Sequence, residues 1–78
     1  MSATISISKP DDVGTLIRNT RRARGLRLED LSLAAGVGVR FLSELERGKS
    51  TARLGETLQV LATLGIQIFA QEPDEQLA

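Results

Sequence analysis

Five arginines, Arg18, Arg21, Arg22, Arg24 and Arg27, crowd into ten consecutive positions, and Arg40, Arg47, Lys49 and Arg53 follow. A guanidinium is permanently charged and presents a planar fork of donors, so it pairs with carboxylate, with phosphate, or with the O6/N7 edge of guanine. Between Val13 and Arg53 the nine basic residues meet only four acids, Glu29, Asp30, Glu44 and Glu46. The acids that return the formal net charge to zero lie outside, at Asp11, Asp12, Glu56, Glu72, Asp74 and Glu75. A basic middle between acidic ends fits a phosphate-facing surface, and a solvated arginine-rich helix face would give the same composition.

Other chemistry is poorly supplied. The chain has no histidine, cysteine or tyrosine, so zinc spacings, thiolate chemistry and a disulfide framework fall away together. Ser32 and Ser43 have no general base near them in sequence, and no glycine-rich phosphate loop precedes a lysine. Adjacent acids such as Glu29 and Asp30 suit the positive end of a helix dipole better than acid–base catalysis. The expectation is a protein that is not an enzyme and uses no metal or cofactor. Met1 to Ser8 lacks the basic start and apolar run of a signal peptide, and no apolar stretch approaches the roughly 20 residues that span a bilayer. A short chain without disulfides reads as cytoplasmic, and one that binds DNA would be nucleoid-associated.

The 78 residues make one domain, near the lower limit for a self-sufficient core, so help from a second chain is expected. Residues 1–8 alternate Ile5 and Ile7 with polar residues, as a frayed tail or a short edge strand. Residues 9–65 carry the helical signals. Lys9-Pro10-Asp11-Asp12 opens a helix whose inward face is Val13, Leu16, Ile17 and Thr20 and whose stop is Arg24-Gly25. Gly14 within it is a weak point or a close-packing point. A short second helix over Arg27 to Ala35 turns Leu28, Leu31 and Ala34 or Ala35 inward, and Gly36-Val37-Gly38 makes a tight turn. A third helix runs from Val39 to Arg47 with Leu42 and Leu45 inward. A fourth, from about Ala52 to Leu64, is expected to be capped by Ser50 or Thr51, to carry a stripe of Leu54, Leu58 and Leu61 with Thr57, Val60 and Leu64 beside it, and to end at Gly65. Residues 66–71 change to a period of two, with Ile66, Ile68 and Ala70 against Gln67, Phe69 and Gln71, which is a strand pattern. A lone strand needs a partner, either Thr4 to Ser8 or the same strand of a second copy. Residues 72–78, acidic and without aromatics, read as a disordered tail.

Two short helices meeting at a Gly-Val-Gly turn, the second leaving through Arg47-Gly48-Lys49, suit a rod that enters the major groove of DNA. Here the sequence resembles a known family. Arg21-Arg22-Ala23-Arg24-Gly25-Leu26, Leu31, Ala34-Ala35-Gly36-Val37 and Leu42-Ser43-Glu44-Leu45-Glu46-Arg47-Gly48-Lys49 are similar to the Xre/lambdoid-repressor helix-turn-helix family over about Val13 to Gly65. The run Arg40 to Lys49 with Thr51-Ala52-Arg53-Leu54, Leu61, Leu64-Gly65 and the strand resembles the HipB-like antitoxins. The resemblance implies an all-α helix-turn-helix fold of four to five helices with a short C-terminal strand that pairs across a homodimer. It implies repression of the protein's own operon at an inverted-repeat operator, and a HipA-type serine/threonine kinase toxin as partner. It also implies that Arg21 bonds Glu46 inside the domain and does not contact DNA.

The third helix is expected to present Gly38, Val39, Arg40, Ser43 and Glu44 to the groove. Arg40 can bond guanine bidentately, Val39 can touch a thymine methyl, and Ser43 can donate to a base or a phosphate. Glu44 either accepts from cytosine or orients Arg40 one turn away. Phosphate contacts fall to Arg27, the backbone amide side of Leu28, Arg47, Lys49, Arg53 and one or two arginines of the first helix. Ile66, Ile68, Phe69 and Ala70 form the dimer strand. Two departures from the family stand out: Arg27 and Leu28 replace a threonine cap and a glutamine, and Val39 replaces a polar amide. These leave open a module that chiefly binds and neutralises a kinase, or a plain Xre-type regulator without a toxin.

Overall fold

A computed structural model of the chain describes residues 3–74. Four helices follow one another: α1 (Pro10–Ala23), α2 (Leu28–Ala35), α3 (Val39–Glu46) and α4 (Leu54–Thr63), with no strand among the described residues. Each helix adds one or more members to a single core. Ile17 comes from α1, Leu31 and Ala35 from α2, Leu42 and Leu45 from α3, and Val60 and Leu61 from α4, with Val37 and Leu64 between and beyond them. The α1 face expected from sequence is the one that packs, with Ile17 fully buried and Val13 and Leu16 against it.

The helix starts follow from acids placed three residues in. The Asp12 carboxylate accepts from the amides of Ser8 at 2.8 Å and Lys9 at 3.1 Å, and Asp30 accepts from the amide of Arg27 at 2.9 Å. Each satisfies donors that the first helical turn leaves orphaned. The turn between α2 and α3 depends on Gly36 at φ 71°, a left-handed conformation that ends α2. Ser32, buried, donates its hydroxyl to the Val37 carbonyl at 2.5 Å, and Gln59 of α4 donates to the Ala35 carbonyl at 2.7 Å. The turn is therefore held from both sides, which fixes the angle at which α3 leaves it.

Gly14 is a close-packing point. A methyl group placed there would lie 2.5 Å from the Leu45 carbonyl oxygen and 2.6 Å from that of Glu46. The last turn of α3 thus rests directly on α1.

Three expectations are corrected. The fourth helix begins at Leu54 with Arg53 as its N-cap residue, and neither Ser50 nor Thr51 caps it. Ser50 and Thr51 lie in the turn that leaves α3, and the Thr57 hydroxyl bonds the Arg53 carbonyl at 2.7 Å in the first turn of α4. Of the expected stripe only Leu61 is buried, together with the neighbouring Thr57, Val60 and Leu64, whereas Leu54 and Leu58 are 70% and 46% exposed. Leucines recurring every third or fourth residue define two adjacent faces of one helix, and only packing decides which goes inward. The third helix ends one residue early, at Glu46, and Arg47 is its C-cap.

Residues 66–71 form no ladder within the chain. Ile66 is half-buried against the core, while Ile68 and Phe69 are exposed, and Ala70 with them. Residues 3–8 are likewise exposed and outside any strand. Of the expected acidic tail, Glu75 to Ala78 lie outside the described residues.

Candidate nucleic-acid interface

Because α3 is seated on α1 through Leu45, Gly14 and the core leucines, its opposite side is left to solvent. Val39 is 43% exposed, and the Arg40 side chain is 92% exposed. Gly38, the N-cap, is exposed and has open space around it. Glu44 has a cation at each carboxylate oxygen: Lys49 Nζ donates to Oε1 at 3.0 Å, and Arg40 Nε forms a looser ion pair 3.6 Å from Oε2. The Lys49 ammonium holds the Glu44 carboxyl below the usual carboxylate range. With its side chain 92% exposed, Arg40 is open to a further acceptor, and a guanidinium fork can meet the O6/N7 edge of guanine. Ser43 is half-buried and lines an open cleft beside this face.

Beneath this surface Arg21 and Glu46 form a two-pronged pair. Arg21 Nε donates to Glu46 Oε2 at 2.7 Å and Nη2 to Oε1 at 3.0 Å, while Nη1 donates to the Leu26 carbonyl at 2.8 Å. Their side chains are only 11% and 6% exposed. The Glu46 hydrogen bonds hold the Arg21 guanidinium above its ordinary pKa. Each guanidinium nitrogen of Arg21 has a partner within the domain, so the side chain ties α1 to the end of α3.

The cations assigned to phosphate differ in their surroundings. Arg27 is held by Asp30, whose hydrogen bond raises the guanidinium's pKa. Lys49 is held by Glu44. Arg53 pairs with Glu56 and lies over the Phe41 ring, 5.6 Å from its centre. Arg47 has no carboxylate partner among the described residues. Leu28 opens α2 and lines the cleft that also holds Arg18, Arg22 and Ser43. The clamp of Phe41 and Glu56 on Arg53 went unread in the sequence, although the three-residue spacing of Arg53 and Glu56 at a helix start was visible. No group of three potential metal ligands occurs among the described residues.

A projecting short helix, a fixed glycine turn before it and arginines flanking it define a helix-turn-helix domain of the DNA-binding class. The chain belongs to the helix-turn-helix family, whose model HTH_3 matches residues 17–69. Its relatives are transcriptional regulators: it is 47% identical to the uncharacterized HTH-type transcriptional regulator y4mF of Sinorhizobium fredii (strain NBRC 101917 / NGR234) over 90% of this chain and 92% of that protein. It is 51% identical to the HTH-type transcriptional regulator DdrOP3 of Deinococcus deserti (strain DSM 17065 / CIP 109153 / LMG 22923 / VCD115) over 67% of this chain, spanning 40% of that longer protein. Among solved structures, the fold is similar to a chain of a HipA-HipB-O2-O3 complex, with a TM-score of 0.81 over 91% of this chain and 100% of the other, at 15% identity. A HipB-O4 20mer complex matches with a TM-score of 0.80 over 91% and 100%, also at 15% identity. At that identity the likeness is one of fold. No helix among the described residues is long and apolar enough to cross a membrane.

Proposed function

We propose that this protein is a sequence-specific transcriptional repressor that reads an inverted-repeat operator as a homodimer. The observation that carries the reading is the two-sided character of α3: Leu42 and Leu45 are sunk in the core, while Val39 and Arg40 stand open beside the helix-turn-helix turn. In this reading Gly38, Val39, Arg40, Ser43 and Glu44 face the bases. Arg27, the amide side of Leu28, Arg47, Lys49 and Arg53 meet the backbone. Residues 9–65 are the DNA-binding domain, residues 66–71 the dimer strand, residues 72–78 a tail, and the site of action is the nucleoid in the cytoplasm.

The homodimer is supported by exposed apolar surface. Leu54, Leu58, Ile68 and Phe69 are all exposed, and beyond Ile66, whose amide bonds the Leu61 carbonyl at 2.9 Å, residues 67–71 alternate apolar and polar outside any ladder. Pairing of Ile66, Ile68, Phe69 and Ala70 with their copies would cover that edge and set the two α3 rods about one DNA turn, roughly 34 Å, apart. Replacing Ile68 by proline removes a ladder donor and is expected to weaken the dimer in sedimentation. An undiminished dimer would reject the strand pairing.

The biological setting proposed is the antitoxin of a pair with a HipA-like kinase, a reading supported by the fold shared with a HipB-O4 20mer complex and with a chain of a HipA-HipB-O2-O3 complex. A second reading, that the protein chiefly neutralises a kinase, draws on the opening of α2, where Arg27 is engaged by Asp30. Gel shifts on DNA upstream of the protein's own gene test the first reading. Arg40→Ala is expected to cost about 10–100-fold in operator affinity, on the order of 1–3 kcal/mol, with kinase binding retained. Loss of kinase binding instead would make α3 a protein interface. An adjacent kinase gene would favour the antitoxin over a plain regulator.

A further inference from the structure

We propose that Arg24 is a docking point for a second copy of this chain and receives the Glu72 carboxylate of that copy, once in each direction across the dimer. The proposal rests on the homodimer read above and names a contact between the copies that lies outside the paired strands.

Arg24 is exposed at the end of α1, and neither it nor Glu72 has an ion-pair partner among the described residues. Its guanidinium reaches the root of residues 66–71: a carbon placed on Gly65 would lie 3.8 Å from Arg24 Nη2. Gly65, at φ 74°, is the point where the chain leaves α4. A cation without a carboxylate of its own therefore stands beside the start of the dimer strand.

The register of strand pairing decides what arrives there. Facing residues of an antiparallel pair put their side chains on one face, and a two-fold axis makes their numbers add to a constant. Ile66 packs on the core, and Ile68, Ala70 and Glu72 follow it at intervals of two, so all four share the core-side face. A slip of one residue would bring Phe69 and Gln71 of the second copy to that face in place of its isoleucines. Two registers about the middle of the segment avoid this, one centred on Ile68 and one on Phe69. The first sets Glu72 of the second copy opposite Leu64, and the second sets it opposite Ile66. Both positions adjoin Gly65, so either register delivers the carboxylate to Arg24.

Pro73 fixes the delivery. The residue before a proline is confined to extended backbone, so Glu72 continues the strand, and Pro73 has no amide with which to prolong the ladder. The strand thus ends with its acid at a set place. At ~3.3 Å per residue, an extended run from Gly65 to Glu72 spans about 23 Å, which carries a chain's own carboxylate away from its own Arg24.

Sedimentation equilibrium of the full chain without DNA tests the contact. Arg24→Glu and Glu72→Arg each set like charges against each other at both symmetric contacts, and each is expected to raise the dimer dissociation constant about tenfold at low salt. An equimolar mixture of these two variants sets opposite charges at both contacts, so the heterodimer should recover close to wild-type affinity. A mixture of Arg18→Glu with Glu72→Arg carries the same net charges and should show no such recovery. The milder Arg24→Gln and Glu72→Gln should each weaken the dimer about threefold, and the double variant should be no weaker than either. This second cycle reads the contact without like-charge repulsion in any chain. An Arg24→Glu dimer as tight as wild type, a mixture no tighter than its Arg18 control, or additive losses in the glutamine cycle would overturn the contact and leave the homodimer standing. A wild-type chain that sediments as a monomer at every concentration, or an Ile68→Pro dimer as tight as wild type, would instead overturn the parent reading.

Discussion

Two arginine–glutamate pairs flank α3, and they share their chemistry but not their surroundings. Arg21 and Glu46 meet through two hydrogen bonds at 2.7 and 3.0 Å, with side chains 11% and 6% exposed. Arg40 and Glu44 approach to 3.6 Å, with side chains 92% and 26% exposed. The two glutamates are only two residues apart, so the rotation of one helix turns the first toward α1 and the second toward solvent. In the first pair both partners have left water and depend on each other. In the second, water and Lys49 offer alternatives, so the arginine can exchange its carboxylate for another acceptor at little cost. The same helix is anchored on one side and available on the other.

The largest effect should come from breaking the anchored side. Glu46→Ala strands the Arg21 guanidinium between α1 and α3, and a loss of about 3 kcal/mol is expected in urea denaturation. Glu44→Ala, on the open side, should leave the urea midpoint where it is and change operator preference instead. Equal stability losses in the two variants would erase the distinction between the pairs.

A smaller effect is expected from two glycines. Gly14→Ala adds a methyl group against the Leu45 and Glu46 carbonyls, and the forced separation of α1 from α3 should cost about 2 kcal/mol even after the gain in helix propensity. Gly55→Ala lies in α4 with no atom within 4 Å of the added carbon, and should gain about 0.5 kcal/mol. Thermal melts of both variants measure the contrast. A stabilised Gly14→Ala protein would mean that the contact between the two helices is looser than drawn.

These sites also separate what the residue order made legible from what it did not. The ends of α1 and α2 were readable because Gly25 and Gly36 mark them, and both take positive φ. The inward residues of α1, α2 and α3 followed from helical spacing. Spacing alone did not bring Arg21 to Glu46, 25 positions away; that pair entered through resemblance to a family. The start and buried face of α4 were misread for a physical reason. Ser50 and Thr51 have the chemistry of caps, but the chain spends them in the turn after α3, and Arg53 takes the extended N-cap conformation. Leu54 and Leu58 look like core and are exposed, because burial is set by which neighbours arrive and not by the side chain's own apolarity. The clustering of Arg18 and Arg22 with Arg47 needed the seat of α3 on Gly14, which no local pattern reports.

The smallest effect concerns a carboxylate that faces hydrogen-bond donors and no tight cationic partner. Asp12 accepts from the amides of Ser8 and Lys9 and from the Ser8 hydroxyl. The Ser8 amide is the main cause that holds its pKa below the ordinary value of 3.8. A carboxyl whose folded pKa is depressed stabilises the fold fully above its unfolded value, and that contribution is lost as pH falls through the folded value. Wild type should therefore exceed Asp12→Asn in melting temperature at neutral pH, and the two should converge as pH drops below about 3.8. Charge is what distinguishes this site from a neutral cap, since asparagine keeps one oxygen acceptor but not the negative charge at the positive end of α1. A gap that persists unchanged into acid would place the loss in the shape of the cap and not in its ionisation.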